Sequence, residues 1–195
     1  MRGKKTAADI IDHLDIDLNP RCRPDYLLRR LHTDCRRMKC DGALLTELRR
    51  CRCVSLVVLA TDNMDCFWES ISGIDGIKGA VDAILCSSVL GVLKDEGVNR
   101  FFGPWLETHR LTFKQALLLD DSVKVCAEFE AAGGTAVTVR SSADAINGLR
   151  KWLRDLGLRG STWEQVSIHD RSLKCSPSNK PEKVFGIQSP LFYLT

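Results

Sequence analysis

The stretch LLLDDS at residues 117–122 decides the fold that this sequence predicts. Three leucines after Ala116 are typical of a short strand buried on both faces. Asp120 and Asp121 follow at the point where that strand leaves the sheet. Open α/β sheets bind their ligands at this end of the strands, and adjacent carboxylates repel each other unless a cation compensates them. The acidic pair therefore indicates a site for a divalent metal ion.

Strands and helices alternate on both sides of this stretch. Apolar runs of strand length occupy residues 55–60 (SLVVLA) and 81–86 (VDAILC), and the run TAVTV at 135–139 follows a glycine pair. Between these runs, apolar residues at helical spacing predict helices. Alternation of this kind predicts an α/β fold with a mostly parallel sheet.

The two ends of the chain differ from this central part. Thr6 is a predicted N-cap for a helix from Ala7 to about Leu14, and leucines at helical spacing predict two more helices before residue 53. Residues 172–181 are polar and indicate a linker, whereas the tail from 184 to 194 is apolar enough to dock on the body or on a partner. We divide the chain into residues 1–53, 54–158 and 159–195.

Composition bounds the class of protein. The 195 residues are 44% hydrophobic with a net charge of +3, and no apolar run has the roughly 18 residues of a membrane helix. The basic start lacks the apolar segment of a secretory signal, so we expect a soluble cytoplasmic protein without a membrane partner.

Nine scattered cysteines, an odd number, indicate reduced thiols. A zinc site is the alternative for five of these side chains, but their spacing does not match the paired zinc motifs: His32, Cys35, Cys40, Cys51 and Cys53.

Arginines crowd the segment from residue 21 to residue 52. Leucines at helical spacing lie between them, which is typical of amphipathic helices with a solvated basic side. We favour this interpretation over the alternative, a nucleic-acid-binding surface.

Three polar features follow predicted strands: the sequence TDN at residues 61–63, Lys94, and the acidic pair. A hydroxyl, backbone N–H groups and a lysine bind phosphate, while carboxylates bind Mg²⁺. Each feature alone has an ordinary alternative, because a threonine caps helices, a lysine is solvated at a helix start and acids favour helix N-termini. Their combination indicates a site for a phosphorylated ligand.

In this order and spacing the features resemble the haloacid dehalogenase-like (HAD-like) hydrolase superfamily. The resemblance extends over about residues 44–139 and implies a three-layer, Rossmann-like, mostly parallel sheet, with residues 1–53 as a helical cap-like segment. It rests on four segments: 82–88 (DAILCSS), 91–94 (GVLK), 117–122 (LLLDDS) and 129–134 (FEAAGG).

The resemblance also implies roles for individual residues. Thr61 is the expected phosphate ligand, helped by the backbone of Asp62. Lys94 is expected to neutralise the phosphate and the nucleophile, with Lys114 as a competing candidate. Asp121 is the expected Mg²⁺ ligand, and Asp120 is expected to act through water or as a support.

The chain departs from the family at the nucleophile. The superfamily begins with a strand that ends in the pattern DxD, lies in the middle of the sheet and carries the attacking aspartate. Here the only DxD is Asp15-Ile16-Asp17, and charged residues interrupt the apolar positions before it. Asp15 is the candidate nucleophile, and the alternative is that these residues end a helix and form a turn.

Without a strand there, the strands at residues 56 and 117 would each expose an unpaired inner edge. Four arrangements could close the gap: residues upstream of Met1 in a longer reading frame, a partner chain or second copy, direct closure of the two strands, or the tail at 184–194.

Two functions follow from the resemblance. The first is a Mg²⁺-dependent phosphatase that acts on a small phosphorylated substrate through an aspartyl-phosphate. The second is a non-catalytic HAD-like module that keeps the phosphate and metal pocket.

Overall fold

The computed structural model describes residues 2–14, 23–71, 74, 76–155, 157, 184–188 and 192–194. The helices are α1 (Ala7–Asp12), α2 (Pro24–Arg37), α3 (Gly42–Cys51), α4 (Asp65–Ile71), α5 (Ser87–Leu90), α6 (Val98–Thr108), α7 (Val123–Ala131) and α8 (Ser142–Asp155). The strands are β1 (Met38–Cys40), β2 (Leu56–Thr61), β3 (Ala83–Cys86), β4 (Ala116–Asp120), β5 (Thr135–Thr138), β6 (Val184–Gln188) and β7 (Phe192–Leu194). Within these ranges the mixed α/β class predicted from the sequence is confirmed.

The main sheet has the strand order β3-β2-β6-β4-β5, and its neighbouring strands are parallel. The tail strand β6 holds the central position. It pairs with β2 from Leu56↔Val184 to Ala60↔Gln188 and with β4 from Ala116↔Val184 onward. Of the four arrangements considered for the gap between β2 and β4, the structure has the one in which the C-terminal tail fills it.

Both faces of the sheet are covered by helices. Because successive side chains of a strand point to opposite faces, β2 contributes to two hydrophobic clusters. Val57 and Leu59 belong to the cluster that includes α3, α4 and α8, while Val58 and Ala60 belong to the cluster that includes α6 and α7. The continuous apolar runs of β2 and β4 are thus explained by burial on both sides.

The N-terminal helices share this core. Thr6 caps α1 as predicted, in a capping box with Asp9, and the Ala7 N–H donates to Asp65 Oδ1 at 3.0 Å. Helix α2 packs against α4, and α3 packs against α8. Buried residues of α1 and α3 lie in the same cluster as β2 and β4. Helices α1, α2 and α3 therefore pack in the same hydrophobic cluster as α4 and α8.

Ion pairs within the body occupy several arginines of the basic segment. Arg29 lies 3.1 Å from Asp25, and Arg52 lies 2.7 Å from Asp82. Glu47 and Arg50 lie on α3, and Arg150 lies on α8. Both arginines contact the buried carboxylate of Glu47. Of these pairs, Arg29–Asp25 and Arg50–Glu47 have the i,i+4 and i,i+3 spacing of contacts within one helix.

Two elements near the chain ends pair outside the main sheet. Strand β1 pairs with β7 in antiparallel register, Met38↔Leu194 to Cys40↔Phe192. Strand β1 is not predictable from local sequence, because three residues after a long helix show no periodic pattern of apolar residues. No helix in the described ranges combines the length and apolarity needed to cross a bilayer. Asp15, Asp17 and the linker at 172–181 lie outside the described residues.

Candidate functional site

The carboxyl ends of β2 and β4 bring the predicted polar residues together. Thr61 ends β2 and Asp120 ends β4, and both are fully buried. Lys94 begins a 3₁₀ turn, Lys94–Glu96, after β3 and α5. Its ammonium Nζ donates to Asp120 Oδ2 at 2.9 Å, and its backbone N–H donates to Asp62 Oδ1 at 3.2 Å. We call Thr61, Asp62, Asn63, Ser87, Lys94 and Asp120 the Lys94 cluster.

The ion pair between Lys94 and Asp120 is withdrawn from water. Their side chains are 1% and 0% exposed. Burial raises the pKa of Asp120, while the Lys94 ammonium and the Ser122 N–H, which donates to Asp120 Oδ1 at 2.8 Å, act in the opposite direction. A buried charge is tolerated only when it is paired and hydrogen-bonded. The Lys94 ammonium therefore offsets part of the cost of burying the Asp120 carboxylate.

Asp62 connects the end of β2 to the lysine turn. Burial raises the pKa of this half-buried carboxyl, and the nearby Lys94 ammonium opposes the shift. Its carboxylate accepts the Lys94 backbone N–H, so the loop after β2 and the 3₁₀ turn are joined by the same residue pair. Asp62 therefore holds the backbone of Lys94, and Asp120 holds its ammonium.

The loop after β2 is held by the side chains of Asn63 and Ser87, which in the sequence are only short polar residues after predicted strands. Asn63 Nδ2 donates to Thr61 Oγ1 at 2.8 Å, and the Asn63 N–H donates to Ser87 Oγ at 3.1 Å. Asn63 and Ser87 therefore position this loop. The signal that could have identified them is a short polar residue directly after each apolar strand. Thr61 Oγ1 accepts this hydrogen bond from Asn63, and a hydroxyl group also has one proton to donate.

The remaining site predictions fall in different places. Lys114 is exposed in the turn before β4, at the end of that strand remote from Asp120, so the geometry favours Lys94 for the lysine role. Asp121 is exposed, and the carboxylate that meets the lysine is that of Asp120. Metal binding by Asp121 stays a prediction. Asp15 lies outside the described residues, and its role as a nucleophile also stays a prediction.

The described residues do not by themselves fit a Mg²⁺ site. Both oxygens of Asp120 accept hydrogen bonds, one from Lys94 and one from Ser122. Across the described ranges no three His, Cys, Asp or Glu side chains are grouped to hold a metal. The central strand β6 ends at Gln188, which pairs with Ala60 next to Thr61. This position carries an amide residue, whereas a hard cation prefers carboxylates.

Comparison of the sequence with protein-family models and with curated proteins finds no match. The geometry of the Lys94 cluster therefore carries the functional argument.

Proposed function

We propose that this chain is a HAD-like domain that binds the phosphoryl group of a small phosphorylated ligand at the Lys94 cluster. In this proposal the sheet and its two helical layers are the three-layer, Rossmann-like core of that superfamily. The observation that carries it is the buried Lys94 ammonium, fixed 2.9 Å from Asp120 beside the Thr61 loop. Parallel α/β sheets bind ligands at this edge of their strands.

The chemistry of the cluster suits a phosphate. The ammonium supplies a point charge, and the Thr61 hydroxyl supplies a neutral donor. Thr61 and Lys94 are buried, whereas Asp62 and Asn63 are half-buried. A ligand would therefore enter on the side of Asp62 and Asn63, and the repulsion between its charge and the Asp62 carboxylate would be relieved when that carboxyl binds a proton.

A phosphate-dependent rise in thermal stability tests this proposal. A ligand that binds only the native state adds about 2.7 kcal/mol to the free energy of unfolding at 100 times its Kd. We expect inorganic phosphate to stabilise the protein in a scanning fluorimetry titration. We expect Thr61→Val, which keeps the side-chain volume but removes the donor, to weaken this binding about tenfold because one hydrogen bond is lost.

Thr46→Val is the matched control, because the Thr46 hydroxyl on α3 donates to the Gly42 carbonyl and lies outside the Lys94 cluster. It is expected to keep the phosphate response of the original chain. A protein that phosphate does not stabilise, or a Thr61→Val variant that responds like the control, would contradict the assignment of this site.

Hydrolysis is the second candidate function, favoured by the pairing of a buried lysine with an aspartate beside a strand-end threonine. A phosphatase of this class also needs an attacking aspartate. The central strand ends at Gln188 and not at an aspartate. The described residues therefore support ligand binding better than turnover, and Asp15 remains the candidate nucleophile for the catalytic alternative.

A generic phosphoester assayed with Mg²⁺ separates the two candidates. Turnover that is lost in both Asp15→Ala and Asp121→Ala would establish the hydrolase. Phosphate-dependent stabilisation without turnover above these variants would establish the binding module.

A further inference from the structure

Two buried cysteines face each other between α2 and α4. Cys35 on α2 is 8% exposed and Cys66 on α4 is 1% exposed. The Cys35 thiol donates to Cys66 Sγ across 3.8 Å, although the two residues are 31 positions apart in the chain. By contrast, the thiols of Cys86 and Cys126 donate to carbonyl oxygens.

A second contact fixes the alignment of these helices. His32 Nδ1 lies 3.8 Å from Glu69 Oε2, again between α2 and α4. His32 precedes Cys35 by three residues, and Glu69 follows Cys66 by three. Two contacts that run in opposite directions along the chain show that the helices lie antiparallel with the pairs 32–69 and 35–66 in register. Residues three apart occupy one helix face. The packing of α2 on α4 therefore places the two sulfurs opposite each other.

We propose that Cys35 and Cys66 are an oxidation site at which a hydroperoxide converts the two thiols into a disulfide that ties α2 to α4. A disulfide requires a sulfur–sulfur distance of about 2.05 Å. The sulfurs, which lie 3.8 Å apart, must therefore approach by about 1.8 Å through rotation of the two side chains.

The reaction balances with hydrogen peroxide as the oxidant. The sulfur of Cys35, the more exposed of the pair, attacks one peroxide oxygen; the O–O bond breaks, water leaves and a sulfenic acid forms. The Cys66 sulfur then attacks the Cys35 sulfur, the S–O bond breaks and a second water leaves with the Cys66 proton. Each sulfur loses one electron, and the peroxide gains both.

Burial makes this reaction slow near neutral pH. It raises the pKa of the Cys66 thiol to about 12 and also raises the pKa of Cys35, so the reactive thiolates are scarce. The pair is therefore expected to be reduced until an oxidant persists. Helix α4 starts at Asp65, directly after the loop that follows Thr61 and carries Asn63, so the disulfide would tie α2 to the helix that leaves the Lys94 cluster.

Peptide mapping tests the proposal without reference to phosphate binding. The full chain is treated with hydrogen peroxide, alkylated under denaturing conditions and digested. We expect a cross-linked peptide pair that joins Cys35 to Cys66 and disappears on reduction. We also expect the midpoint of thermal unfolding to rise by about 5 °C, since the bond constrains the unfolded chain.

Variants show which thiols are responsible. Cys35→Ser and Cys66→Ser should each lose the cross-link and the thermal shift, whereas Cys51→Ser, which changes a buried thiol on α3, should keep both. If a variant at position 35 or 66 does not fold, the map of the original chain still decides. Recovery of Cys35 and Cys66 as separate alkylated or sulfonic-acid residues, while the exposed Cys53 is oxidised, would overturn the proposal.

Discussion

Removal of residues 158–195 is expected to abolish the folded state. Strand β6 would be lost from between β2 and β4, leaving the inner edges of two strands without their hydrogen-bond partners. The β2 residues from Val57 to Thr61 are almost completely buried. Each buried N–H or C=O left without a partner costs about 1–3 kcal/mol. Several such losses exceed the roughly 5–15 kcal/mol by which a domain is stable, so circular dichroism should show no cooperative unfolding transition.

Two further chains separate the role of β6 from that of the rest of the tail. A chain that ends after Gln188 keeps β6 and, among the described strands, loses the pairing of β7 with β1, so we expect it to fold. Gly186→Pro in the full-length chain should behave like the deletion, because Gly186 pairs with both Val58 and Leu118 and proline is not accommodated in a central strand. A deletion variant that unfolds cooperatively with the stability of the original chain would show that β2 and β4 do not depend on β6.

Lys94→Ala is expected to lower the free energy of unfolding by about 3–5 kcal/mol, the range found when one partner of a buried ion pair is removed. The substitution leaves the Asp120 carboxylate fully buried, with the Ser122 N–H as a remaining donor. Urea denaturation followed by fluorescence measures this loss. The double variant Lys94→Met, Asp120→Leu should recover most of it, because no unpaired charge then remains in the core.

The control for this prediction is Lys151→Ala. The Lys151 ammonium lies 2.9 Å from Asp155, but its side chain is 74% exposed. Exposed pairs contribute about 0–1 kcal/mol, so the control should change stability little. Equal effects of the two alanine substitutions would contradict the description of Lys94 and Asp120 as a buried pair.

The Lys94 cluster shows how far local sequence patterns lead. An apolar run followed by short polar residues marked Thr61 and Asp120, which are the last residues of β2 and β4. Such a pattern does not predict which of Asp120 and Asp121 contacts Lys94. Consecutive residues of an extended chain point in opposite directions, so one aspartate meets Lys94 and the next is exposed. Which one does so depends on the position of the lysine, 26 residues earlier in the chain.

The sequence by itself determined the strands predicted at 55–60 and 117–119, which are β2 and β4 in the structure, the helices between and around them, and the polar residues at the strand ends. These features depend on periods of a few residues, and such periods can be read from the chain. Only the tertiary structure decided that the tail strand β6 lies between β2 and β4, and that Cys35 faces Cys66. The physical reason is that a backbone hydrogen-bond ladder accepts any extended segment of suitable length. The identity of the partner therefore follows from the packing of the whole chain.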